Sequence, residues 1–238
     1  MGNVPSQNKK QTSAEETMFF LSARSYAYDL LKCVFLKEPS VKFLKLLIEG
    51  EMVQAFPFYE SDTDLGKAID TILNYFKQSD VTSKKGAQNL HWDYTRMFIG
   101  PGEVQAPPWE SIYRDMERLH FSKETLKVRD AYRKYNLLHR RFGHDPDDHI
   151  GLELDFMHKL CEMAKEKTEG TDGKELLEIL EDQKAFLEDH LLKWIPAWSK
   201  DVVKGAETDF YKGAAHLLNV YLRVDSKLLE QFIAVTYI

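Results

Sequence analysis

Three carboxylates and two imidazoles fall within six consecutive residues of this chain, His144-Asp145-Pro146-Asp147-Asp148-His149, with Ile150 and Gly151 directly after them. Groups of these kinds at such density can start a helix, meet a polar ligand or hold a cation, and the residue types leave all three open. Pro146 suits the first turn of a helix, and Asp147 and Asp148 suit the positive end of its dipole, so a helix is expected to begin just after Asp145. At the helical period His149 shares a face with Glu153 and Phe156, which places His149 to line a groove.

A second stretch carries a different chemistry. Tyr94 to Pro101 leads into Ala106-Pro107-Pro108-Trp109-Glu110-Ser111-Ile112-Tyr113, where aromatic and apolar side chains ride on a proline-stiffened backbone. Rigid aromatic anchors favour binding because little rotamer freedom is lost on contact. The same Trp and Tyr would serve equally well as plugs driven into a core from a loop.

The elements that must position these residues read as helices. A helix begins at Ser13, which with Glu16 forms a capping-box pairing, and runs until Pro39 ends it. Apolar faces at helical spacing follow at Val41 to Ile48, Leu65 to Phe76, Leu90 to Phe98, Ser122 to Tyr135, Ile150 to Ala164, Leu176 to Leu192, Ala197 to Val203, Phe210 to Tyr221 and Leu228 to Val235. Three prolines and two glycines make Gly100 to Tyr113 irregular, the longest break in the chain. No stretch alternates with period two, and no internal repeat appears. The expected fold is all-α: a single helical bundle, residues 14–238, of about nine or ten helices around a long central Pro/Gly loop, with residues 1–13 as a disordered tail.

Composition narrows the function. With 238 residues, 43% of them apolar, the chain can bury a full core. A formal net charge of −6, with Lys and Arg interspersed among acids, argues against nucleic acid and suits a basic peptide. Cys33 and Cys161 each sit in an apolar helical pattern, which points to plain core residues in a reducing compartment and not to a disulfide framework. No run approaches the roughly eighteen apolar residues of a membrane span, and Met1-Gly2 with Ser6 matches the short myristoylation pattern without a second anchoring signal. No Walker loop, nucleophile elbow or CxxC pair is present, and Pro101 removes an N–H that a phosphate-cradling Gly100-Pro101-Gly102 loop would need.

Three ordered segments together resemble the TorD/DmsD family of redox-enzyme maturation chaperones: Tyr94 to Tyr113, Asp145 to Gly151, and Phe186-Leu187-Glu188-Asp189-His190 through Trp194-Ile195-Pro196-Ala197-Trp198. The similarity spans residues 20 to 222. It implies an all-α, non-catalytic protein of the cytoplasm with no cofactor of its own. Its partners would be the twin-arginine signal peptide and the apo form of a molybdopterin oxidoreductase, met during cofactor insertion, and the chain would be a monomer or a dimer swapped at 166–173 or 100–113. Carried over by position, the peptide-binding residues would be Tyr94, Met97, Phe98, Pro108, Trp109, Asp148 and His149, an apolar wall with carboxylates for the arginines. Asp145 stands where the family usually has Glu, which keeps cap and charge; Gly102 stands where some members carry Trp, which speaks against the same client as those members.

Two other classes compete. The bundle could act as an assembly factor that contacts the folded subunit of a membrane-bound oxidoreductase. The His144-Asp145 dipeptide, with His120, His139, His149 and His158, loosely resembles HD-type metal-dependent phosphohydrolases, although Pro146 directly after it and the lack of an upstream His on an apolar helix speak against that class.

Overall fold

The computed structural model describes residues 13–115, 123–137, 146–168 and 173–237. Ten α-helices are found among them: α1 (Ala14–Phe35), α2 (Val41–Glu49), α3 (Thr63–Gln78), α4 (Lys84–Tyr94), α5 (Glu110–Arg114), α6 (Lys123–Lys134), α7 (Ile150–Thr168), α8 (Gly173–Phe186), α9 (Leu192–Gly205) and α10 (Asp209–Tyr237). Two π-helical turns, Thr95–Ile99 and Leu187–Leu191, extend α4 and join α8 to α9. Among the described residues there is no β-strand, and the fold is all-α as expected.

Local sequence sets the helix limits. Ser13 caps α1 through the Glu16 amide while Glu16 Oε2 accepts from the Ser13 amide at 2.8 Å, the reciprocal box expected there. Ser40 and Ser83 accept from the third residues of their helices in the same way. Gly100, at φ 104°, closes the π-turn by donating to Thr95 O at 2.8 Å, a left-handed position that glycine takes without strain.

α1 packs along α7, and α10 packs against α3 and α9. The end of α1 closes on α7 at Gly151, where an added Cβ would lie 2.4 Å from Cα of Leu36, the residue that caps α1. Phe35, Tyr94, Phe98, Trp198 and Tyr211 make a continuous aromatic cluster in the core, all less than a tenth exposed.

α1, α8 and α10 are also joined by a buried ion pair. Arg24 donates to Asp225 from Nε at 2.6 Å and from Nη2 at 3.0 Å, reaches Gln183 with its remaining arm, and Tyr28 donates to the same carboxylate. Charge in the core needs partners of this kind. Cys33 and Cys161 are both free thiols, Cys161 buried in this core.

The structure corrects four details of the sequence reading. The segments expected at Phe210 to Tyr221 and Leu228 to Val235 are one helix, α10, because Asp225 in the apparent gap is buried as Arg24's partner and so interrupts the apolar pattern without interrupting the helix. Those expected to end at Leu192 and to restart at Ala197 run on through the π-turn and α9, which tolerates Pro196 inside it. The irregular stretch ends at Trp109, since Glu110 already begins α5. The helix expected from Pro146 begins at Ile150, because Asp147 and Asp148 form a turn and His149 is held in the bridge to Trp109. The expected tail, residues 1–13, lies outside the described residues apart from Ser13, as do His120, His139, the His144-Asp145 dipeptide and residues 169–172 of the candidate swap segment 166–173.

Candidate functional site

Trp109 and His149 face each other across a single antiparallel bridge. Ile150 N donates to Pro108 O at 2.8 Å and Glu110 N donates to Asp148 O at 3.0 Å, one bond on each side of the pair. Side chains of such a pair lie close together on one side, and the two rings meet edge to face with centroids 5.8 Å apart. Both residues are half-buried, so one flank of this pair reaches the surface. His149 also begins α7: its carbonyl accepts from Leu152 and Glu153, and its Nδ1 accepts from Gly151 N at 3.0 Å.

The proline loop is fastened at both ends. Ala106 N donates to Met97 O at 3.0 Å, and Trp198 Nε1 donates to Ala106 O at 3.3 Å. On its far side Asp148 accepts from Ser111 N at 2.7 Å and from Thr125 Oγ1 at 2.9 Å. Asp147 pairs with Arg129 at 2.6 Å, and its carbonyl accepts from Tyr132. Loop, α5, α6 and the start of α7 therefore form one hydrogen-bonded unit.

A buried polar network joins the first and third sequence segments, with Glu153 entering two residues past the second. Glu110, fully buried, pairs with Arg114 through Oε1 and lies 2.8 Å from His190 Nδ1 through Oε2. Glu153, also fully buried, accepts from Trp194 Nε1 at 3.1 Å. Burial, with the Glu110 and Asp148 carboxylates as neighbours, holds the Glu153 carboxyl well above the usual carboxylate range. Each π-turn lies inside one of the segments, and the extra residue such a turn inserts re-aims the side chains that follow it.

Glu153 should therefore make stability fall with rising pH. The unfolded chain ionises this carboxyl above about pH 4.3, whereas the folded chain keeps its proton, so the folded state holds more protons and weakens as pH rises. Glu153→Gln keeps an acceptor for Trp194 Nε1 and cannot ionise. We expect the mutant to match the wild type at low pH, below the unfolded carboxyl's pKa, and to become the more stable of the two as pH rises, as read in denaturant unfolding. Parallel pH profiles for the two proteins would show that Glu153 is ionised in the fold.

The structure treats the seven sequence-derived site residues unequally. Trp109 and His149 come together and reach the surface. Tyr94, Met97 and Phe98 are 4%, 0% and 5% exposed and belong to the aromatic core, and Pro108 is buried beneath the bridge. Asp148 is 0% exposed, so its carboxylate fastens the loop and offers no face to an incoming arginine in this conformation. Glu110, Glu153, His190 and Trp194 were given no role from sequence. Their signal was the spacing: His190 and Trp194 stand four apart on one helical face, and Glu110 follows Trp109 directly. Among the described residues no group of three or more His, Cys, Asp or Glu side chains is arranged to hold a metal, and no helix is long and apolar enough to cross a membrane.

Comparison with known proteins bears on the same segments. The family model described as "Nitrate reductase delta subunit" matches residues 59–200, which contain all three. The chain is 27% identical over 211 residues to the "Chaperone protein TorD" of Aliivibrio salmonicida, covering 88% of this chain and 96% of that one. It is 32% identical over 192 residues to the "Probable Tat proofreading chaperone DmsD" of Haemophilus influenzae, covering 73% and 86% respectively. A "Chaperone protein TorD" of Vibrio cholerae aligns over 94% of this chain and 99% of its own length at 22% identity.

Proposed function

The chain belongs to the TorD/DmsD family of redox-enzyme maturation chaperones, and from that premise we propose that it holds the twin-arginine signal peptide of a molybdopterin-containing oxidoreductase in the cytoplasm until the cofactor is in place. One observation carries the reading. Three segments far apart in the chain converge on a single unit, with the Trp109–His149 pair at its surface edge and the Glu110–His190 and Glu153–Trp194 contacts behind it. A scaffold needs no such convergence, whereas a binding surface needs its aromatic anchor held in place, and here a backbone hydrogen bond on each side of Trp109 does so. The net charge of −6 favours a peptide that bears arginines. The apolar part of the peptide would lie against the Trp109 flank, and retention of the precursor would leave time for cofactor insertion before export.

Trp109→Ala tests the reading. Loss of a half-buried anchor should weaken signal-peptide binding by about 1–3 kcal/mol in calorimetric titration. Melting should change little. If Trp109 is instead a core plug, the mutant will melt early, and the folded fraction will bind peptide with the affinity of the wild type. A peptide whose two arginines are replaced by glutamine should bind more weakly to the wild type. Equal affinity for both peptides would favour contact with the folded subunit of an oxidoreductase.

A further inference from the structure

A half-open pocket of about 140 Å³ lies between α6, α7 and α8, on the side of His190 away from Glu110. Phe156 and Phe186 form its floor, their rings edge to face with centroids 4.8 Å apart, and the Tyr135 ring stands against Phe156 at 6.1 Å. Asp182 and Asp189 contribute carboxylates to the lining. His190 completes the wall: its imidazole packs on Phe186 at 4.8 Å, its side chain is 9% exposed, and its Nδ1 is engaged by Glu110. Nε2 has no hydrogen-bond partner among the described residues. A buried carboxylate thus fixes the imidazole in one orientation and leaves its other nitrogen available to the pocket, an arrangement that a purely structural histidine does not require.

The lining selects a flat cation. Anions are disfavoured by Asp182, Asp189 and the neighbouring Glu178; Asp182 already accepts from the Tyr135 hydroxyl and pairs with Lys134, so a plain apolar ligand would leave Asp189 and Nε2 unmatched. The protein's own cation already uses the rim: Lys134 Nζ lies 2.6 Å from Asp182, 2.9 Å from Glu178 and 5.9 Å from the Tyr135 ring centroid. Lys134 is 46% exposed and reaches the mouth from outside. A guanidinium fits further in. It is planar, stacks on aromatic faces, is less strongly hydrated than an ammonium, and has enough N–H donors to meet Nε2 and a carboxylate together.

We propose that the pocket beside His190 is an arginine subsite, which takes one guanidinium of the bound peptide while Lys134 guards its mouth. The inference rests on the peptide-binding reading above and adds to it where one arginine goes.

Two surface variants and one direct probe test it. Wild type, Asp189→Asn and Lys134→Gln are titrated with a signal peptide carrying both arginines and with single Arg→Gln versions of it. Asp189→Asn should weaken the double-arginine peptide about tenfold and leave one single-Gln peptide unaffected, because a charge-assisted contact has gone only where its arginine is present. Lys134→Gln should tighten the double-arginine peptide several-fold by releasing Asp182. Separately, N-acetyl-arginine amide is added to the wild-type protein and the imidazole nitrogens of His190 are followed by NMR, with a shift at Nε2 expected and none with N-acetyl-glutamine amide. If both variants affect all peptides alike, or none, while Trp109→Ala still weakens binding, the subsite is wrong and the chaperone reading stands. If no peptide binds the wild type, the chaperone reading fails, and the His190 resonances then decide the subsite by themselves: no shift with the arginine amide overturns it.

Discussion

Asp148→Ala is expected to destabilise the protein by about 3 kcal/mol and to loosen the proline loop before the rest of the bundle. The carboxylate is fully buried and accepts from Ser111 N at 2.7 Å and Thr125 Oγ1 at 2.9 Å. Hydrogen bonds to a charged acceptor contribute about 1.5–3 kcal/mol each, and their loss leaves a backbone N–H and a hydroxyl buried without partners. Relief of carboxylate burial offsets part of that sum. Asp148→Asn should fall between, since Ser111 N and Thr125 Oγ1 use different carboxylate oxygens and only one of them survives as an acceptor in the amide. Chemical denaturation gives the global loss, and hydrogen exchange at Ser111 should show the local one. The salt dependence of peptide binding separates this account from a direct role: a carboxylate paired with a peptide arginine would flatten that dependence when neutralised, and a fully buried fastening would leave it unchanged. A flattened dependence in Asp148→Asn would return Asp148 to the binding surface.

The contrast between Asp148 and His149 shows what a sequence can tell about a site. Both residues stand in one short acidic segment, and charge and spacing make either a candidate. Which of them faces out depends on the bridge to residues 108–110, and that pairing joins segments nearly forty residues apart whose hydrogen bonds are backbone to backbone, so no side-chain pattern announces it. Trp109 and His149 were readable because an aromatic on a proline frame and a histidine at a helix start are unusual residues for their places. Tyr94, Met97 and Phe98 were readable as a face but not as an inside or an outside, since a core wall and a binding wall have the same apolar composition.

The helices themselves were more legible. Periodic apolar faces, with serine caps at α1 and α2 and an aspartate cap at α3, fix these helices closely, because those signals are local. Where a buried polar residue entered the pattern, legibility failed. Asp225 split α10 in two on paper, yet in the fold it is the charge that Arg24 requires. Glu110 and Glu153 were hidden in the same way: a carboxylate in a helical pattern is read as solvated, and only the packing of α5, α7 and the π-turn of residues 187–191 shows that both are enclosed.

Gly151→Ala should be the most damaging single methyl in the binding region, with a loss of at least about 3 kcal/mol and a melting temperature lower by about 10 °C. Helix propensity alone predicts the opposite, because alanine is favoured over glycine inside a helix by up to about 1 kcal/mol. Steric contact decides the sign. The new Cβ would stand 2.4 Å from Leu36 Cα, 2.6 Å from its Cβ and 2.8 Å from its Cδ1, and the first of these is backbone. No rotamer change clears it, so α1 and α7 must separate, and α7 carries His149 at its start. Peptide affinity should fall with stability for that reason. The double mutant Gly151→Ala/Leu36→Ala distinguishes the causes: if only the leucine side chain were in the way, shortening it would restore stability, whereas a backbone clash persists whatever residue stands at position 36. Recovery in the double mutant would show that the close approach of α1 and α7 at Gly151 is set by the leucine side chain and not by the two backbones.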